Sequence, residues 1–339
     1  MLDRKALVIG IDHYPGHALN SCVRDATAVA ELLRRNGDEA ETRNFAVRLL
    51  TSGGNDDVTN AGLNDAITRF FNSSVSTSTA VLYFAGHGML NPGTETGYLV
   101  GTDGRKGSLG FPMSELLNLA NEACITERIR SAVVILDCCH AGYLGQQGGR
   151  SNAGVSEIGK GVTILSSSTA DQSALEGSRH GVFTELLLDG LGGGCADVRG
   201  TITPASVYAH IDQALGEHDD QRPLYKTNVH NFITLRQIKP PIRPDVLRRL
   251  TEHFPHPDMV KPLDPSYEHD RQHVSDAIRQ IPVNPENASA FKELQAYSRQ
   301  GLVVPIDTEF MFLAAIESKG CRLTGLGRHY HRLAKNGLL

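Results

Sequence analysis

Two short motifs contain residues able to perform nucleophilic chemistry. One is Tyr83-Phe-Ala-Gly-His-Gly88; the other is Leu136-Asp-Cys-Cys-His-Ala-Gly142. A cysteine attacks as its thiolate, so it needs an imidazole to take the thiol proton and later return it to a leaving amine. His87 and the Cys138-Cys139 pair satisfy that requirement if the fold brings the two motifs together. Glycines beside His87 free its backbone, and the Gly88 N–H together with the Cys139 N–H could meet a developing oxyanion. In an extended strand, side chains two apart share a face. Asp137 and Cys139 then project together, and Cys138 points into the opposite layer as a small buried hydrophobe. Adjacent Cys138, Cys139 and His140 rarely chelate one ion, and no second ligand cluster is visible, so no metal site is expected.

The elements that must position these residues are legible as well. Lys5–Ile11, Thr79–Ala85, Ser131–Asp137 and Gly161–Ser166 are short, β-branched, continuous apolar runs, the pattern of strands covered on both faces. Helix-period stretches lie between them, at Cys22–Arg35, Asn60–Phe71, Met113–Asn121 and His180–Leu191, with another opening at Thr203-Pro204. This alternation predicts an α/β fold with a mostly parallel sheet and helices on both faces. Both motifs then sit at carboxyl ends of strands, where open α/β sheets place their sites.

The residues resemble the caspase/metacaspase clan, and in particular its metacaspase and bacterial caspase-like branch. The resemblance spans about residues 1–238. It also takes in Leu7-Val-Ile-Gly-Ile-Asp-His-Tyr14, Leu19-Asn-Ser-Cys-Val-Arg-Asp-Ala26 and Ser166-Ser-Ser-Thr-Ala-Asp-Gln172. It implies a caspase-like fold and a cysteine endopeptidase with Cys139 as nucleophile and His87 as general acid/base. It further implies that Cys22, Asp25 and Asp137 line the pocket for the residue before the scissile bond. Two carboxylates in one cleft repel unless a cation joins them, which agrees with cleavage after Arg or Lys. Relatives often carry Ser two residues before the His, where this chain has Ala85. Ser166, Ser167 and Ser168 end the fourth strand, where the family lays substrate along a backbone edge.

Many metacaspases bind Ca²⁺ through acidic clusters. Here Asp103 stands without company: neither 107–113 nor 143–150 holds an acid, so no cofactor is expected and Ca²⁺ activation is not evident. The resemblance also implies self-cleavage in the Gly-rich stretch 143–160, where Arg150 and Lys160 fit the specificity. It implies a monomer with a regulated cell-death or antiviral defence role. The alternative is a catalytically silent scaffold, although a scaffold has no chemical reason to keep His87, Cys139 and both acids.

The chain has 339 residues, a net charge of −5, no Trp and six dispersed Cys. That balance argues against nucleic acid as a partner, and no apolar run is long enough to span a membrane. The apolar start without a small-residue cleavage site, and the scattered thiols, point to the cytoplasm. Seven of the 15 prolines fall within 240–265, which predicts a proline-rich linker at 239–265. A small helical domain follows at 266–339, with helices at 267–280, 287–300, 308–318 and 324–335. From Lys319 onward it has Lys and Arg but no acids. It resembles winged-helix-like adapters, which implies docking of an activating or recruiting protein. His13 and His180 are expected to be structural.

Overall fold

The computed structural model describes residues 3–53, 58–91, 93, 94, 96–105, 107–139, 158–167, 180–216, 222–272 and 274–339. The chain divides into two compact units, Met1–Lys239 and Pro240–Leu339. In the first, the elements run β1 (Arg4–Gly10), α1 (Cys22–Arg34), β2 (Ala46–Thr51), α2 (Asn60–Phe71), β3 (Thr77–Ala85), β4 (Gly88–Asn91), β5 (Thr96–Leu99) and β6 (Phe111–Pro112). They continue with α3 (Met113–Ile125), β7 (Ile129–Asp137), β8 (Val162–Ser166), α4 (Val182–Asp189), β9 (Thr201–Ile202), α5 (Pro204–Leu215), β10 (Leu224–Asn228) and β11 (Arg236–Gln237). The main sheet has the order β10-β8-β7-β3-β1-β2. All its neighbours are parallel except the edge pair β10 and β8.

Strand alternation divides the apolar runs between two layers. Leu7, Ile9, Leu82, Phe84, Val134 and Leu136 join α2 and α3 through Leu63, Ile67, Leu116 and Ala120. Ala6, Val8, Val81, Tyr83, Val133 and Ile135 join α1, α4 and α5 through Ala26, Val29, Phe183, Leu187, Val207 and Ile211. Burial on both faces is why these strands read as unbroken hydrophobic runs rather than alternating ones. Each fully buried large aliphatic or aromatic side chain contributes roughly 1.5–3 kcal/mol.

Local chemistry fixes the helix that matters to the site. A β-carbon on Gly10 would lie 2.3 Å from the Cys22 carbonyl oxygen and 2.6 Å from Ala26 Cβ, so β1 and α1 approach closely only because residue 10 is glycine. The Cys22 N–H donates to Asp12 Oδ1 at 2.7 Å. An acid in the loop after β1 thus satisfies an orphan donor at the start of α1. Thr203 caps α5 as a capping box with Ser206, and Pro204 occupies the first turn.

The second unit comprises α6 (Pro244–Arg248), α7 (Leu250–His253), β12 (Val260–Pro262), α8 (Asp276–Arg279), α9 (Pro285–Arg299), β13 (Val303–Pro305), α10 (Met311–Ile316), β14 (Gly320–Leu323) and α11 (Gly325–Lys335). Its strands form a three-stranded antiparallel sheet, β12-β14-β13. This corrects the expected linker at 239–265. Leu247, Leu250, Phe254 and Leu263 are buried in the second unit. Pro244 starts α6, Pro262 ends strand β12 at the sheet edge, and Pro265 opens a short 3₁₀ turn. These are positions where proline's missing N–H costs little. Among the described residues of the expected helix 267–280, only Asp276–Arg279 is α-helical. Among the described residues, no helix is long and apolar enough to cross a membrane.

Candidate active site

β3 and β7 are neighbours whose register pairs Ala85 with Asp137. Beyond those residues the two chains stay together, with the Gly86 N–H donating to the Asp137 carbonyl at 3.4 Å. The loops carrying His87 and Cys139 therefore leave adjacent strands at the same end of the sheet. A β-carbon on Gly88 would sit 2.0 Å from the Cys139 carbonyl oxygen. Any side chain there would force the two loops apart.

His87 is held from two sides. Its ring Nε2 lies 2.7 Å from the His17 carbonyl oxygen. A carbonyl can only accept, so Nε2 carries the proton and Nδ1 of the neutral ring is the basic nitrogen. The His87 N–H donates to Tyr14 Oη at 3.0 Å, and that hydroxyl donates to the Val100 carbonyl at 3.1 Å. The Tyr14 and His87 rings stand 4.5 Å apart, tilted by 56°. Neither Tyr14 nor His17 was singled out from sequence. Their signal was position, in the loop directly after β1, at the same sheet end as the two motifs.

The paired cysteines separate as alternation requires. Cys138 is 1% exposed in the layer of Val134 and Leu136. Burial, with Cys139 and Asp137 nearby, pushes its thiol well above the usual range. Cys139, the next residue, is partly exposed.

Asp25 and Asp137 come together at Gly181. A β-carbon there would lie 3.0 Å from Asp137 Oδ2 and 3.4 Å from Asp25 Oδ2. Asp137 Oδ2 accepts from Thr184 Oγ1 at 2.6 Å, and Thr184 Oγ1 is 2.7 Å from the buried Tyr83 hydroxyl. Since Thr184 donates its one proton to the carboxylate, Tyr83 donates to Thr184. Burial and the charge of Asp25 raise the Asp137 carboxyl to about 6, against the pull of the Thr184 hydroxyl. Burial likewise raises Asp25, while His180, the Gly181 N–H and Ser21 draw it back down. Cys22, at the first turn of α1, is buried on the same layer.

His180 was expected to be a structural histidine with no nameable partner. It has one: its Nδ1 stands 2.5 Å from Asp25 Oδ1. No short-range pattern announces this, because the partners are 155 positions apart.

Other expectations are placed elsewhere. Lys160 is exposed on the turn just before β8, at the amino end of the sheet, whereas Cys139 follows the carboxyl end of β7. Arg150, His140 and Ser168 lie outside the described residues. Ser166 is paired with both Leu136 and Leu224, so β8 offers no free edge there, contrary to expectation. Asp103 Oδ1 accepts from the Asn60 N–H at the start of α2. Among the described residues, no cluster of His, Cys, Asp and Glu could hold a metal ion.

No curated protein matches the chain. Among solved structures, a protein from Geobacter sulfurreducens is 20% identical over 70% of this chain and 97% of its own, with a TM-score of 0.47. Caspase-1 from Spodoptera frugiperda is 13% identical over 70% of this chain and 91% of its own, with a TM-score of 0.49. The family model for the caspase domain matches residues 3–232, from β1 through β10, and the chain therefore belongs to the caspase domain family, a family of cysteine peptidases.

Proposed function

We propose that the protein is a cysteine endopeptidase that cleaves protein substrates after Arg or Lys. The observation that carries this reading is the convergence of Asp25 and Asp137 on Gly181, at the end of the sheet where His87 and Cys139 emerge. Two buried carboxyls with raised proton affinity attract a cationic side chain, which neutralises both.

In the reaction, His87 Nδ1 takes the Cys139 thiol proton and the thiolate attacks the carbonyl carbon after the basic residue. The N–H groups of Gly88 and Cys139 receive the oxyanion. As the tetrahedral adduct collapses, the C–N bond breaks and the imidazolium gives its proton to the departing amine. Water, deprotonated by the same nitrogen, then hydrolyses the thioester, releasing the acid and restoring the thiol. The His17 carbonyl keeps the imidazole oriented, because Nε2–H donates to it throughout.

A regulated, cytoplasmic role in cell death or defence, with the second unit docking an activating protein, accords with this chemistry. Matched fluorogenic peptides ending in Arg, Lys or Asp test the assignment, using wild-type and Cys139→Ala protein. Cleavage after Arg or Lys that is lost in the variant is the expected result. Cleavage after Asp would overturn the pocket, and cleavage surviving in Cys139→Ala would overturn the nucleophile.

A further inference from the structure

One member of the acid cluster has no task in the cleavage scheme. His180 and Gly181 are consecutive residues leading into α4, and between them they engage both oxygens of Asp25. The imidazole Nδ1 meets Oδ1 at 2.5 Å, and the Gly181 N–H donates to Oδ2 at 3.1 Å. Depth orders the cluster. Thr184 is fully buried, Asp25 is 1% exposed and Asp137 is 8% exposed. The His180 side chain, at 13%, is the outermost of them. A solvent-borne cation heading for Asp25 Oδ1 meets the imidazole first. In its protonated form that imidazole carries the charge of the side chain the pocket is read to accept, and it donates to the same oxygen.

We propose that His180 is an internal competitor for the specificity pocket: it satisfies Asp25 in the substrate-free protein, and the basic side chain before the scissile bond must displace it. This rests on the reading of Asp25 and Asp137 as the pocket acids. The physical consequence is discrimination by exchange. A guanidinium or ammonium replaces one ion pair with another, so Asp25 is never left bare. An uncharged side chain that pushed the imidazole aside would leave a buried carboxylate without a counter-charge, which is strongly unfavourable. His180 therefore lowers the affinity for every occupant but excludes uncharged ones most, trading tightness for selectivity.

The experiment compares wild type with His180→Ala and His180→Asn. Calorimetric titration with agmatine, a free guanidinium, reads the pocket without requiring catalysis, and kcat and KM are measured on Arg and Gln peptides. Agmatine is expected to bind His180→Ala about tenfold more tightly than wild type, with KM for the Arg peptide falling by a similar factor. His180→Asn, which keeps a neutral donor, falls between, and the preference for Arg over Gln shrinks in both. If His180→Ala does not fold, His180→Asn decides by the same readings. Agmatine affinity unchanged or weakened in the folded His180 variants, while Asp137→Asn still weakens it, overturns the competitor role alone. Agmatine affinity that Asp137→Asn leaves unchanged overturns the pocket reading, and the role of His180 with it.

Discussion

Cys138 and Cys139 are chemically identical neighbours with opposite environments, and a period of two is enough to separate them. Cys138 continues the row of Val134 and Leu136 into the core, where a thiolate would have no solvation. Asp137, one residue earlier, faces the other layer and bears a cost there. Its ordinary value is 3.8, and in the folded protein it is raised to about 6. The folded state thus holds this proton more tightly than the unfolded chain does. The stability contributed by the protonated form is complete below the unfolded value and is lost as pH rises through about 6. Asp137→Asn keeps the acceptor for Thr184 without the charge. It should match wild type in denaturant unfolding most closely below pH 3.8 and exceed it by about 1–3 kcal/mol at pH 7.5, while its cleavage after Arg weakens. An advantage equal at both pH values would show that another group titrates. The contacts of Tyr14 and His180 could not be read locally, since their partners lie 73 and 155 positions away.

Element by element, α1 is positioned by backbone proximity more than by its own propensity. It starts where Asp12 accepts the Cys22 N–H, and it lies against β1 because Gly10 has no side chain. Gly10→Ala would drive a methyl into the Cys22 carbonyl, and a backbone oxygen cannot swing aside as a side-chain tip can. The expected cost is about 1–3 kcal/mol of stability, read in thermal unfolding. KM for an Arg peptide should rise as well, because Cys22 and Asp25 move with the helix. An unchanged KM in the destabilised protein would detach α1 from the pocket. The strands escaping detection were those without two buried faces. β2, at the sheet edge, is largely half-exposed or exposed, so Ala46–Thr51 lacks the continuous apolar run that marks β1, β3, β7 and β8. The free edge expected at Ser166 failed for a topological reason. β10 returns from far along the chain to cover it.

At the scale of the whole molecule, the chain is two separately cored units. Phe254, Leu294, Tyr297 and Leu302 are fully buried in the second, and Tyr297 Oη donates to the Val246 carbonyl at 2.5 Å. Residues 240–265 therefore belong to a folded body, and removing them as a linker would open its core. A chain of residues 240–339 alone is expected to unfold cooperatively by circular dichroism. Phe254→Ala should cost it about 3–5 kcal/mol, the range for emptying an aromatic site in a core. A broad, non-cooperative melt of the wild-type fragment would contradict an independent core. Proline density misled here because composition records that residues lack donors, whereas only the fold shows that those donors are not needed at a helix start, a strand end or a turn.

The sequence by itself determined the four central strands, their burial on both faces, and which of two adjacent cysteines is buried, because side-chain periodicity is a local property of the backbone. It also carried the two motifs and their order. Only the tertiary structure decided which atoms meet: the His17 carbonyl on the imidazole, Tyr14 bracing the loop, and His180 on Asp25. It also decided that Lys160 lies at the far end of the sheet from Cys139. Those pairings depend on strand order and on chain returns across the sheet, where residues far apart in sequence become neighbours and no local period records the encounter.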